Sequence, residues 1–245
     1  MKIGIISDVH ANLPALQAVL DAFKSEEVDQ IIHLGDLIAI GPYPRECLDL
    51  MLNTEGVVPV MGNHDSWYAN GLPHPRPEWM TDGELAHQYW THDQLGSVYR
   101  DAVAAWPWII QIEVEGIRLA FMHYALRGDG NSYKPFLKNP TLVKLADLFD
   151  TTADYVFYGH DHVASDHQAK TRFMNPGSLG CQKTAAAPYL IFEVLDGKPE
   201  IHKGMIPYDD KELYAAFESR DVPERAFIYK AFLGNRFPPA QENQG

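Results

Sequence analysis

Five short apolar runs in this chain each lead into a carboxylate, an amide or an imidazole, and that recurrence limits the possible folds more than any other feature of the sequence. Ile3 to Ile6 leads into Asp8-Val9-His10, and Ile31 to Leu34 into Gly35-Asp36. Val57 to Met61 leads into Gly62-Asn63-His64-Asp65, Ile117 to Met122 into His123, and Tyr155 to Tyr158 into Gly159-His160-Asp161-His162. Runs of this length, rich in β-branched and aromatic residues, read as buried strands. One strand ending in Gly-Asn would signify only a turn. Five strand ends carrying oxygen or imidazole donors need a different reason, because open α/β sheets gather their chemistry at the carboxyl ends of the strands. The four residues from Gly62 to Asp65 are expected in a loop at such an end.

Between the first two runs, Leu13 to Phe23 has apolar residues at helical spacing, with Asn12 as N-cap and Pro14 in the first turn. Strand, helix and strand in that order imply parallel pairing. Pro44 to Leu52 and Thr141 to Phe149 read as further helices. Phe173-Met174, Tyr189 to Leu195 and Glu200 to Met205 read as a hairpin-rich second sheet, followed by C-terminal helices over Asp209 to Ser219 and Glu224 to Phe232. Pro238 to Gly245 is polar and is expected to fray. With 245 residues and a 46% hydrophobic composition the chain can bury a full core, so a single domain over 1–245 is expected. Within it, 66–108 reads as a helical and loop cap insertion, and 207–245 as a C-terminal helical extension. The cap holds all five tryptophans, Trp67, Trp79, Trp90, Trp106 and Trp108, which either stack an organic leaving group or form the cap's own core.

The formal net charge of −13 argues against a nucleic-acid polymer as partner, since polyanions are held by Lys and Arg. A small anionic substrate stays compatible if bound metal inverts the local field. The first strand begins at Lys2 without an apolar signal region, and no run reaches membrane-spanning length, so a cytoplasmic protein without a membrane partner is expected. Cys47 and Cys181 lack metal-type spacing and read as free thiols.

Asp8 and His10, two apart on extended chain, project to one side and can meet a single cation; His160 and His162 repeat the spacing. Asp36 has two oxygens with which to bridge two cations, and Asn63 adds a neutral oxygen. A mixed oxygen and nitrogen set without thiolate suits Mn, Fe, Zn or Ni rather than a sulfur-type zinc site.

Together these blocks, with Asn175-Pro176-Gly177-Ser178, resemble the calcineurin-like metallophosphoesterase superfamily and its bacterial phosphodiesterase-like branch. The resemblance runs over residues 1 to 205 and implies an α/β fold, a four-layered αββα sandwich of two mixed sheets flanked by helices. It implies two divalent ions, manganese favoured, with Asp8, His10, Asp36 and His162 on one and Asp36, Asn63, His123 and His160 on the other. It leaves His64 as the catalytic residue facing substrate, with Asp65 orienting its ring. The activity implied is hydrolysis of a small phosphodiester or nucleotide, by in-line attack of a hydroxide held between the metals. Trp67, Tyr124 and Arg127 are the candidate substrate contacts. Alternatives that share the site are a phosphomonoesterase and a dinucleoside polyphosphate hydrolase; one of another class is a non-catalytic interaction scaffold. Oligomeric state is left open.

The chain departs from the family pattern at Tyr124, where relatives commonly carry glycine, and at Asp161, where a small hydroxyl residue is frequent. Leu37 to Pro42 lacks the arginine that protein phosphatases carry after their Gly-Asp block. His33 reads as a satisfied core residue, and His74, His87 and His92 as solvated. His167 and His202 have no evident partner. For Arg45, a phosphate clamp is weighed against a solvated face.

Overall fold

The computed structural model describes residues 1–138 and 140–236. The opening run forms β1, Lys2–Ile6, and the amphipathic stretch forms α1, Leu13–Ser25, where Asn12 Oδ1 accepts the amide of Ala15 at 3.2 Å. β2 (Gln30–His33), α2 (Pro44–Asn53) and β3 (Val57–Pro59) follow, with β1, β2 and β3 parallel. Next come α3 (Asn63–Asn70), α4 (Asp82–Leu95) and α5 (Arg100–Ala104). β4 (Ile109–Val114) and β5 (Ile117–Met122) form a hairpin across Glu115-Gly116, both at positive φ, as a tight hairpin turn requires. α6 (Leu142–Phe149), β6 (Tyr155–Phe157), β7 (Ser165–Gln168) and β8 (Arg172–Asn175) lead to the long pair β9 (Ala186–Leu195) and β10 (Lys198–Pro207), and then to α7 (Lys211–Ser219) and α8 (Arg225–Phe232).

Side-chain alternation sorts these elements into layers. On β1, Ile3 and Ile5 face a core shared with Phe121, Phe157 and Phe192, while Ile6 faces α1 together with Leu16 and Val19. On β5, Leu119 and Phe121 join that inter-sheet core, whereas Ala120 and Met122 face Leu145 and Leu148 of α6. Two five-stranded sheets, in the orders β10-β9-β1-β2-β3 and β4-β5-β6-β8-β7, therefore stack face to face with helices outside them. This is the four-layered sandwich expected. Among the described residues no helix is long and apolar enough to cross a membrane.

Two expectations need correction. β9 and β10 do not build the second sheet: β9 pairs antiparallel with β1, Ile3 opposite Phe192, because Leu190, Phe192 and Val194 complete the inter-sheet core from the first sheet's side. The second sheet instead holds β4 and β7, which the apolar pattern alone does not mark as its strands. Asn63, His64 and Asp65 are not loop residues either; they form the first turn of α3, after Gly62 as N-cap. Pro238 to Gly245 lies outside the described residues. Of the cap tryptophans, Trp106 is buried beside α2 and α5, Trp67 and Trp108 are half-buried, and Trp79 is exposed.

Candidate metal centre

Why the Gly-Asp and Gly-Asn-His-Asp blocks open with glycine is visible where they meet. A β-carbon on Gly35 would lie 2.7 Å from the backbone of Gly62, and one on Gly62 would collide with the amide nitrogen and Oδ1 of Asp36. Their backbones touch, which brings Asp36 against the start of α3. The strand-end loops are also bonded to one another: the amide of Asp8 donates to Gly35 O at 3.0 Å, His10 to Asp36 O at 3.0 Å, and Gly159 to His123 O at 2.9 Å. Asn175 and Ser178 anchor the remaining edges, Asn175 Nδ2 donating to Gly159 O at 3.0 Å and Ser178 Oγ to Asp8 O at 2.7 Å. This lattice holds five non-glycine residues, Asp8, His10, Asp36, His160 and His162, in the left-handed region. Such strain costs roughly 1–3 kcal/mol per residue and persists only where surrounding bonds over-determine it.

The side chains so positioned converge. His10 Nε2 lies 2.9 Å from His162 Nε2, and Asp8 Oδ1 is 3.8 and 3.5 Å from those same two nitrogens. On the other side, His123 Nε2 is 3.1 Å from His160 Nδ1, and Asn63 Oδ1 is 3.1 and 3.0 Å from that pair. Asp36 Oδ2 stands between the halves, 3.9 Å from His10 Nε2 and 3.3 Å from His123 Nε2. Ligands about 2.1 Å from one ion lie about 3–3.5 Å from each other, so these spacings are those of coordination edges. Lone pair faces lone pair at nearly every contact, an arrangement poor for hydrogen bonding and suited to a cation. Asn63 Oδ1 turned inward fits that arrangement, although a reversed amide would donate to both imidazoles.

The electrostatics agree. Burial disfavours a charged His123, yet Asp36 and Asp8 beside it outweigh burial and raise its pKa to about 9. Burial and the neighbouring His123 push His160 down to about 3. Asp36, despite complete burial, is held well below the usual carboxylate range by His123, His64 and His10. Buried carboxylates whose pull on His123 outweighs its burial give the cluster the negative field of a cation site. Cys181, given no role from sequence, comes with His10 and His162 into a set whose donor atoms lie within 4.8 Å of each other. Burial raises its thiol pKa well above the ordinary value.

His64 stands beside the cluster, its ring 5.4 Å from that of His10 and 4.7 Å from that of Trp67. Its expected partner is corrected. The Asp65 carboxylate accepts the amides of Asp36 at 2.8 Å, Gly62 at 3.1 Å and Leu37 at 3.1 Å, so it fastens the two glycine-led blocks together instead of orienting the ring. Gln88 takes that place: its Nε2 lies 2.9 Å from His64 Nδ1 and donates to Glu84 Oε1 at 2.8 Å. With the amide donating, His64 Nδ1 accepts, and the ring proton sits on Nε2. Thr81 caps α4 through the amide of Glu84, and Glu84 and Gln88 fall one turn apart on the same face. The Thr-x-x-Glu spacing is the sequence signal for this helix start.

Other candidates fall elsewhere. Tyr124 is 2% exposed and its hydroxyl accepts the amide of Leu137 at 3.0 Å, so its ring backs His160 from behind. Arg127 is exposed and donates through Nε to Tyr133 O at 2.9 Å; Arg45 donates to Gln94 O at 3.0 Å. Tyr133, missed from sequence, places its ring 5.6 Å from that of His123. Asp161 turns to Asn175 Nδ2 at 2.6 Å. His87 is not solvated: it is 3% exposed, accepts the amide of Ile40 at 2.7 Å and faces Pro223 O at 3.2 Å, and burial lowers its pKa to about 4. His33 is buried as expected but unsatisfied, neither nitrogen having a partner among the described residues. His202 has a partner, Glu193 Oε1, at 2.7 Å. A cavity of about 290 Å³ opens beside the cluster, between His64 and His162 on one side and α4 and α8 on the other.

Comparison with known proteins places these features in context. A family model described as the calcineurin-like phosphoesterase superfamily domain matches residues 1–197. An uncharacterized protein of Methanocaldococcus jannaschii is 27% identical over 240 residues, covering 91% of this chain and 94% of its own length. A phosphodiesterase of the same organism is 35% identical over 65 residues, 26% of this chain and 37% of its own. Among solved structures, a metallophosphoesterase from Sphaerobacter thermophilus superposes with a TM-score of 0.69 at 26% identity, covering 93% of this chain and 97% of its own. A hypothetical protein from Pyrococcus horikoshii shares the fold, with a TM-score of 0.78 at 19% identity over 95% and 98% of the two chains.

Proposed function

The chain belongs to the calcineurin-like phosphoesterase superfamily, and from that premise we propose that it is a two-metal phosphodiesterase acting on a small ester. The observation that carries this reading is the convergence of six oxygen and nitrogen donors around Asp36 Oδ2, with His64 beside them, its donor atom within 4.8 Å of those of His10 and Asp36. Asp8, His10, Asp36 and His162 would hold one ion, and Asp36, Asn63, His123 and His160 the other. When bound, two such ions supply Lewis acidity to a phosphoryl oxygen and an attacking oxygen nucleophile at neutral pH.

The protein's own part is placement and hydrogen-bond donation. The interlocked loops keep the donors in position before substrate arrives, so little reorganisation accompanies reaction. His64, with its proton on Nε2, offers a hydrogen bond to the oxygen that leaves phosphorus and so stabilises the negative charge that develops on it as the bond breaks. Gln88 fixes the tautomer this requires, and Glu84 fixes Gln88. Preference for a diester is supported by the local likeness to the phosphodiesterase of M. jannaschii and by the cavity next to His64, which gives an organic group room on the leaving side.

The test is hydrolysis of bis-p-nitrophenyl phosphate against p-nitrophenyl phosphate by metal-stripped protein titrated with manganese, with Asp36→Asn as control. Metal-dependent turnover favouring the diester and lost in the variant is expected. Preference for the monoester would move the assignment to a phosphatase, and absence of turnover with two ions bound would favour a scaffold.

A further inference from the structure

The cavity beside the cluster has walls of two origins. His64 and His162 form its inner side, and Glu84 and His87 of α4 and Ile40 add to it. The outer side is Glu224, Phe227, Ile228 and Phe232, from the start and body of α8. These outer residues lie beyond the 1–197 that the family model matches, so this wall of the cavity is not part of the family's common domain.

Its chemistry is one-sided. Two carboxylates reach it, and no Lys or Arg is among its lining residues. Among the described residues neither Glu84 nor Glu224 forms an ion pair; Glu84 Oε1 is committed only to the Gln88 amide, which leaves its charge unbalanced. Glu224 is exposed, and its carboxyl group lies directly over Gly83 Cα, where any β-carbon would collide with it. Phe227 and Phe232, whose rings meet edge to face at 6.0 Å, supply aromatic surface beside these acids. Aromatic faces combined with carboxylates are the surroundings that favour an organic ammonium group, whereas a second phosphate would enter against two like charges. A volume of about 290 Å³ suits a compact group.

We propose that this cavity receives the alcohol arm of the ester and that the arm carries a positive charge, as a small amino alcohol or its quaternary ammonium form does. The assignment rests on the phosphodiesterase reading for the position of the phosphoryl group. It adds that selection is made by charge at α8.

The experiment is a calorimetric titration of the full manganese-loaded chain with phosphocholine and with 3,3-dimethylbutyl phosphate, which differ only in a quaternary nitrogen replaced by carbon. Phosphocholine is expected to bind at least tenfold more tightly, and the ratio of the two affinities should fall several-fold in Glu224→Gln and in Gly83→Ala, which displaces the Glu224 carboxylate. Equal affinities in the unaltered protein, or a ratio unchanged in both variants, would overturn the proposal. Turnover of bis-p-nitrophenyl phosphate in the same preparation reports separately on the phosphodiesterase reading: charge selectivity without turnover upholds the cavity assignment and removes the catalytic one, and turnover without charge selectivity does the reverse.

Discussion

Gln88 Nε2 lies 2.9 Å from His64 Nδ1, and it is 1% exposed in a helix that contributes no metal-type donor to the cluster. A buried amide with an imidazole on one side and a carboxylate on the other can satisfy both only by donating to both. That fixes which nitrogen of His64 carries the proton and which way it points. The orientation of His64 thus depends on a residue far from any recognisable block.

Replacing Gln88 with Leu keeps volume and removes the donor. We expect kcat to fall by about 10–100-fold, the usual effect of losing a group that orients a working imidazole, with bound metal unchanged. Steady-state kinetics together with metal analysis by mass spectrometry decide this; a loss of metal in step with kcat would mean that Gln88 supports the cluster and not His64.

Asp36 Oδ2 is placed between both halves of the cluster. Asp36→Asn should weaken both ions, whereas His162→Ala should weaken one and leave the second near its original affinity. Equilibrium dialysis against manganese gives the stoichiometry directly, and identical behaviour of the two variants would contradict a bridging Asp36.

Gly62 has φ −96° and ψ 173°, a conformation open to any residue, so the cost of Gly62→Ala is steric alone. The added methyl meets the Asp36 backbone and carboxylate. A loss of about 1–3 kcal/mol in urea melts is expected, along with weaker metal binding, because the two blocks must separate to admit it. Unchanged stability would show that the contact is looser than described.

His87 gives a pH signature. Its folded pKa is lowered to about 4 by burial, so between that value and the unfolded value near 6.5 the unfolded chain binds a proton that the folded chain refuses. Stability from this group is complete above pH 6.5 and is lost as pH falls toward 4, on the order of 2 kcal/mol by pH 5. Chemical melts at pH 7.5 and 5 should show a smaller acid loss in His87→Gln than in the unaltered protein; equal losses would place the titration elsewhere.

The metal-type donors are legible in the amino-acid sequence for a physical reason. Strands buried on both faces must be continuous apolar runs, and the donors at their ends must follow at short fixed spacings, so Asp8, His10, Asp36, Asn63, His123, His160 and His162 each sit in a local signal. Sheet membership has no such signal. β9 and β10 follow β8 in sequence but join the other sheet through the pairing of β9 with β1, and which side of the inter-sheet core completes the packing is a non-local matter. Gln88 and His87 are hidden for a related reason: each is a polar residue on the buried face of α4, justified only by partners, His64 and Ile40, that the fold brings in from other elements. Asp65 misleads because adjacency to His64 suggests contact, whereas the first turn of a helix directs successive side chains to different sides.

The loops that carry the donors are tied across long stretches of chain. His10 and His162 meet at 2.9 Å although 152 residues separate them, and both ends of that span must be docked before either can share an ion. Partly folded chains, with one sheet formed and the other not, would offer at most isolated pairs of ligands and little affinity. A divalent ion should therefore bind with high affinity only after the two sheets have closed on each other, so its uptake dates the last stage of assembly and would serve as an internal clock for folding.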